Sequence, residues 1–204
     1  MTTSQPEQPT GMQLESVQGT PQHAGLQDWN VLATVRQGGY RRARRLLSRF
    51  GHVSGSGFPN VLLMQVMDGR LLLEELCREP ERQPTALECL GRVIPTSIAF
   101  TFSSPEEFDT LALEAARAYL PELAGKSFHV RVYRHGFKGR LSTHESERKL
   151  GQGLQQALAQ AGTPGQVRFD EPDVILAVVT VGNRAGLSLW TKEEMRRFPC
   201  LRLD

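Results

Sequence analysis

The amino-acid sequence predicts a mixed α/β fold (α+β), with two successive units behind an N-terminal tail. Three observations carry that expectation. Short apolar and β-branched runs alternate with stripes of apolar residues at three- and four-residue spacing. One run, Asp173 to Val181, is nearly continuously apolar, as expected of a central strand covered on both faces. Residues 1–27 are rich in Gln, Thr, Pro, Ser and Gly and show no apolar period. They are expected to stay a disordered tail, because they cannot bury enough surface to offset the entropy of ordering.

The elements follow in order. Asn30 to Arg36 reads as a strand ending at Gly38-Gly39. A helix comes next, with Tyr40, Ala43, Leu46, Leu47 and Phe50 on its apolar face, which turns most of its arginines to solvent; Gly51 stops it. Gly51 to Gly57 reads as a Gly-Ser loop and Val61 to Val66 as a second strand. Arg70 to Arg78 and Thr85 to Leu90 are short helices separated by Pro80 and Pro84. Val93 to Phe102 is taken as one strand, followed by the capping box Ser104-Pro105-Glu106-Glu107 and a helix that buries Phe108, Leu111, Ala112, Ala115 and Tyr119. Ser127 to Tyr133 alternates as a half-buried strand does. A helix from Ser142 or Thr143 presents Leu150, Leu154, Ala157, Leu158 and Ala161, and Gly162 with Pro164 closes it. After the strand 173–181, a turn at 182–186 leads to a short strand, Leu187 to Trp190, and Thr191 to Glu194 caps a last helix. The expected division is 1–27 tail, 28–92 first unit, 93–204 second unit.

A chain of 204 residues leaves no room for a large multidomain enzyme. Its longest apolar run, Val174 to Val179, is far below the roughly 18 residues that suggest a membrane span. No basic n-region with an apolar core opens the chain, so a cytoplasmic location is expected. Cys77, Cys89 and Cys200 are odd in number and widely spaced, which argues for packed thiols and against a disulfide framework or a zinc site. Charge is sorted along the chain. Arg36, Arg41, Arg42, Arg44, Arg45 and Arg49 fall within 36–50 with no acid among them, and seven cations face only Glu145 and Glu147 between Lys126 and Lys149. Such basic faces fit a polyanion.

The segment RVYRHGFKGRLSTHESERK, Arg131 to Lys149, leads from a strand end through a glycine-containing loop to a helix start. Cationic side chains would then surround unpaired backbone N–H groups, a cradle for phosphate; a solvated basic loop explains the same residues. Tyr133, His135 and Phe137 interleave with these cations and offer rings for stacking on unpaired bases. The alternative is that Phe137 packs beneath its loop and Tyr133 completes the sheet face. Arg41, Arg42, Arg45 and Arg49 form a secondary basic face. No nucleophile elbow, P-loop, zinc-protease motif or dinucleotide fingerprint is present, so no cofactor and no catalytic residue is expected. His23, His52, His129, His135 and His144 have no spacing that pairs them with a nucleophile or metal ligands. Asp170, Glu171 and Asp173 read as a turn before a buried strand.

Two blocks, KSFHVRVYRHGFKGRLSTHESERKLGQGL and VRFDEPDVILAVVTVGNRAGLSLW, resemble the THUMP domain, an RNA-binding module of tRNA-modifying enzymes. The first resembles the family's strand, basic loop and helix start. The second resembles its Asp-Pro-Asp strand, turn and closing strand, with Glu171 in place of the first Asp. The resemblance implies a THUMP-like domain with a central mixed sheet over 93–204, preceded by a ferredoxin-like unit over 28–92. It also implies tRNA or another structured RNA as partner, contacted by Arg131, Arg134, Lys138 and Arg140 of the loop and by Arg148 and Lys149 of the helix. The family's modules are usually fused to a catalytic domain; here none fits, so the chain resembles stand-alone THUMP proteins that act as non-catalytic tRNA-binding adaptors for a cytidine acetyltransferase. A protein-interaction module with basic faces, and a small RNA-processing enzyme using His135 or His144, are the competing readings.

Overall fold

The computed structural model describes residues 29–203; the expected tail 1–27 lies outside them. The first sheet contains β1 (Val31–Val35), β2 (His52–Gly55), β3 (Val61–Gln65) and β4 (Leu90–Pro95) in the order β2-β3-β1-β4, with every neighbouring pair antiparallel. Helix α1 (Tyr40–Leu47) links β1 to β2, and α2 (Gly69–Arg82) with a 3-10 turn (Ala86–Cys89) links β3 to β4. This βαββαβ order is the ferredoxin-like arrangement.

Three local expectations change here. The Gly-Ser segment contributes β2, because β3 offers a second row of backbone groups for pairing and Val53 turns into the core. Helix α2 continues through Pro80 to Arg82; the ring deletes one donor so close to the helix end that the rest of the helix is kept. Its start is capped by Asp68, whose carboxylate accepts the N–H of Arg70 at 2.7 Å and of Leu71 at 3.1 Å. The expected helix 85–90 is reduced to the 3-10 turn.

The second sheet has the order β5-β9-β8-β6-β7, formed by β5 (Ile98–Thr101), β6 (Ser127–His135), β7 (Gln166–Val167), β8 (Val174–Val181) and β9 (Arg184–Thr191). It is mixed: β6 runs parallel to β7 and β8, while β8–β9 and β9–β5 are antiparallel. Helix α3 (Pro105–Ala116), a 3-10 turn (Arg117–Tyr119) and α4 (Leu120–Leu123) precede β6; α5 (Thr143–Gln160) follows it, and α6 (Lys192–Arg197) follows β9. The single strand expected over Val93 to Phe102 is two strands in two sheets. Thr96 donates to the Asn30 carbonyl at 2.8 Å and Ser97 to the Leu187 carbonyl at 2.7 Å, so the chain changes sheet between these residues. The expected division at 92–93 falls inside β4. Strand β9 begins at Arg184, within the segment expected as a turn.

The expected N-caps form, and one of the two expected capping boxes is complete. Ser104 caps α3, Ser142 caps α5, and Thr191 with Glu194 forms a complete capping box. Glu107 reaches the N–H of Ser103 at 2.7 Å, one residue short of a full box. Apolar burial then joins the layers. Val174, Leu176 and Val178 of β8 pack with Phe108, Ala112, Leu150 and Leu154 under α3 and α5. Ile175, Ala177, Val179 and Val181, on the other face, pack in one cluster with the first sheet and with Phe198, Cys200, Leu201 and Leu203. The C-terminal segment is thus a wedge between the sheets, tied by the Val93 N–H to the Cys200 carbonyl at 2.7 Å. No helix among the described residues is long and apolar enough to cross a membrane.

Leu201 is fully buried in this wedge. Leu201→Ala is expected to lower unfolding stability by about 2–5 kcal/mol in denaturant titrations, the usual cost of a leucine-sized cavity. A change within about 0.5 kcal/mol would show that the wedge does not brace the core.

Candidate nucleic-acid interface

The basic loop is a rigid mount. Gly136, Phe137 and Gly139 all take positive φ (107°, 49° and 77°). At Gly136 a Cβ would sit 3.2 Å from the Gly182 backbone and 3.3 Å from Phe58, so only glycine fits where the loop leaves β6. Phe137 is packed beneath the loop, its ring 5.0 Å from that of Phe102, and its carbonyl accepts the N–H groups of Arg140 and Leu141 at 3.0 Å. Arg134 donates to the Gly136 carbonyl. Lys138 and Arg140 are exposed on this mount, with the Arg140 guanidinium 5.1 Å from the Phe137 ring centre.

The remaining expected contacts do not converge on the loop. Arg131 and Arg134 are three residues apart on β6, and their side chains leave opposite faces of the sheet. Arg131 lines a cleft of about 510 Å³ beside Arg196 and Arg202, facing Asp170 and Glu171; Lys192 in the same wall is paired with Glu171 at 2.9 Å. Arg148 is exposed and borders a second cleft of about 270 Å³. Lys149 is held by Asp109 at 2.8 Å and Glu145 at 3.2 Å.

The start of α5 is not bare. Ser142 Oγ accepts the Glu145 N–H at 3.3 Å, and Glu106, Asp109 and Glu145 crowd the hollow with Arg140 and Lys149. Three carboxylates against two cations leave this hollow ill suited to phosphate; Lys138 lies outside it, and Arg140, although it lines the hollow, is exposed and in no ion pair among the described residues.

The secondary face on α1 divides in the same way. Arg42 bonds to the Thr85 carbonyl and, at 2.7 Å, to its hydroxyl. Arg49 grips the buried Glu79 carboxylate at 2.5 and 3.1 Å, with Arg82 adding a contact at 3.2 Å. Arg42 ties α1 to Thr85 before the 3-10 turn, and Arg49, two residues past the end of α1, ties that end to α2. Arg41, Arg44 and Arg45 are exposed and, among the described residues, have no ion pair.

The aromatic rings expected to stack are engaged elsewhere. Tyr133 donates to the Leu203 carbonyl at 2.8 Å and carries Arg92 4.4 Å above its ring. His135 tilts against Phe58 with centroids 6.2 Å apart, and Phe137 packs as the alternative reading held. The ring that does stand outside is Phe169, between β7 and β8; its signal in the sequence is a large apolar side chain in a polar, proline-containing turn. Asp173 in that turn is structural: its carboxylate accepts the N–H and hydroxyl of Ser127 at 2.9 and 2.6 Å, fixing the start of β6 against β8.

Burial pushes the His129 imidazole below its ordinary 6.5, with Arg131 acting in the same direction. His135 is also pushed down by burial, aided by Arg92 and Arg134. Below the ordinary value the unfolded chain takes up protons that the folded chain refuses, so stability falls with pH; above it both states are neutral and this contribution is flat. The unfolding midpoint is expected to drop between about pH 7 and about pH 5, and to drop less in a His129→Gln, His135→Gln variant. An equal drop in the variant would place the acid sensitivity elsewhere.

No protein-family model and no curated protein sequence matches the chain. Solved structures do. TrmN from Thermus thermophilus aligns at TM-score 0.54 and 23% identity, over 83% of this chain and 48% of that one. PH1313 from Pyrococcus horikoshii aligns at 0.53 and 13%, over 79% and 54%. A 4-thiouridine synthetase in complex with RNA and bound ATP aligns more loosely, at 0.49 and 16% over 80% and 42%, so the likeness in fold is carried by the first two. The chain spans about half the length of the structures it matches, and what it shares with them is the two-sheet α/β fold.

Proposed function

We propose that the protein binds structured RNA, tRNA in particular, by electrostatic docking, and acts as a non-catalytic adaptor that presents the RNA to a modifying enzyme such as a cytidine acetyltransferase. The observation that carries this reading is the placement of Lys138 and Arg140, exposed on a pinned loop and without ion pairs among the described residues. Exposed cations on a fixed backbone meet phosphates without first breaking an internal ion pair, and binding releases the RNA's condensed counterions. Arg41, Arg44 and Arg45 on α1 offer a second set of the same kind. The THUMP resemblance of the two blocks supports the reading, and so does the likeness of the fold to TrmN. An adaptor of this kind raises the local concentration of the substrate and fixes its orientation, so its effect falls mainly on kcat/KM of the partner enzyme for tRNA.

The experiment measures tRNA affinity across a salt series for the parent and for a Lys138→Glu, Arg140→Glu variant. The parent is expected to lose affinity steeply with salt, and the variant to show a slope smaller by about 0.9 for each phosphate contact removed, at nearly unchanged thermal stability. Salt-independent binding in the parent, or parental affinity in the variant, would overturn the reading. The same protein incubated with tRNA and an acetyl or methyl donor, followed by nucleoside mass spectrometry, is expected to give no modified nucleoside unless a partner enzyme is added. Modification by the chain alone, lost in His135→Ala or His144→Ala, would replace the adaptor with an enzyme.

A further inference from the structure

Phe169 is 78% exposed, whereas every other Phe, Tyr and Trp ring among the described residues is buried or half-buried. Its ring stands edge-on to the imidazole of His129, centroids 5.0 Å apart and planes at 68°. His129 is only 5% exposed, yet neither of its ring nitrogens has a hydrogen-bond partner. Buried polar atoms in folded proteins are nearly always paired, and an orphaned one calls for an explanation. Both residues line both clefts, the one bordered by Arg148 and the one bordered by Arg131, Arg196 and Arg202. The Arg131 Nε is itself buried and unpaired.

The chemistry of this corner is specific. With burial and Arg131 both disfavouring its charged form, His129 is a neutral imidazole, offering one donor and one acceptor. An exposed ring supplies a stacking face for a planar heterocycle. The larger cleft carries four cations against two carboxylates; one of each, Lys192 and Glu171, is consumed in an ion pair, which leaves three arginines against Asp170. A ligand that is flat, bears hydrogen-bonding edges and is flanked by negative charge satisfies all three features. Single-stranded RNA has that composition, whereas in a duplex the base faces are stacked away from such a site.

We propose that Phe169 and His129 hold one unpaired nucleobase of bound RNA, with Arg131 and Arg196 taking the phosphates beside it. The inference rests on the RNA-binding reading and adds a preference for RNA carrying a single-stranded segment. The base stacks on the Phe169 ring, and its polar edge reaches the imidazole as that ring moves aside. The smaller cleft is lined by one cation, Arg148, and one carboxylate, Glu147, which leaves it without net charge, so the strand's backbone follows the Arg131 side.

The test compares a blunt RNA hairpin with the same hairpin bearing a short single-stranded overhang that contains 2-aminopurine, whose fluorescence is quenched on stacking. The parent is expected to bind the overhang RNA about tenfold or more tightly than the blunt one, with a fluorescence change on binding. Phe169→Ala should lose that preference and the fluorescence change while keeping the blunt-hairpin affinity, and Phe169→Trp should keep both. His129→Gln should retain the fluorescence change with a reduced preference. Because Phe169 is exposed, its variants are expected to unfold at the parental midpoint, so loss of binding does not report loss of fold. An overhang preference that survives Phe169→Ala, or fluorescence that does not respond, overturns the base site. If the parent binds the blunt hairpin and gains nothing from the overhang, the base site falls while RNA binding stands; if it binds neither RNA, both fall.

Discussion

The structure turns on the two-sided burial of β8. Its eight residues are all buried, and because side chains alternate across a strand, one face serves the core under α3 and α5 while the other serves the core shared with the first sheet. Burying a valine or leucine side chain contributes about 1.5–3 kcal/mol relative to leaving it in water. A strand with both faces covered therefore stabilises two layers with one backbone, and neither core is complete without it. The C-terminal segment follows from the same constraint: Phe198, Leu201 and Leu203 fill space between the sheets that β8 and the first sheet leave between them.

That arrangement fixes where charge is placed. Strand β6 is parallel to β8 over eight residues, which holds His135 at the rim where Gly136 turns against the Gly182 backbone. The loop beyond it is consequently a fixed platform, and its cations stand at defined positions without the entropy cost that a floppy basic tail would meet on binding. The arginines divide into two kinds. Arg42 and Arg49 hold helices together through the Thr85 carbonyl and the Glu79 carboxylate, whereas Arg41, Arg44, Arg45, Lys138 and Arg140 face water. Residue type is the same in both groups; what differs is the neighbour each helix or loop presents.

The clefts around Phe169 follow similar logic. His129 leaves β6 on the face opposite Phe128 and Val130 because the strand alternates, and the turn between β7 and β8, anchored by Asp173 on Ser127, sets Phe169 against it. Arg131, Arg196 and Arg202 reach the same wall from β6, α6 and the C-terminal segment. Aromatic exposure, an unpaired imidazole and arginine are thus assembled from three stretches of chain around the start of β6, whereas the basic loop leaves the end of that strand.

The sequence alone determined what depends on neighbours a few residues away or on a simple period. The serine and threonine caps of α3, α5 and α6, the outward turn of the α1 arginines and the run that becomes β8 are all of this kind, since a cap bonds three residues ahead and a buried strand declares itself by continuous apolar character. Tertiary structure alone decided the rest. Nothing local marks Thr96 and Ser97 as the step between sheets, because their partners, Asn30 and Leu187, lie 66 and 90 positions away. Nothing in the spacing of Arg49 shows that Glu79 will claim it, or that Glu106 and Asp109 will crowd the start of α5. Phe169 is apolar by composition yet is left in water, and His129 is polar yet is buried. Burial is set by which surfaces meet when the sheets pack, and that meeting is long-range by nature.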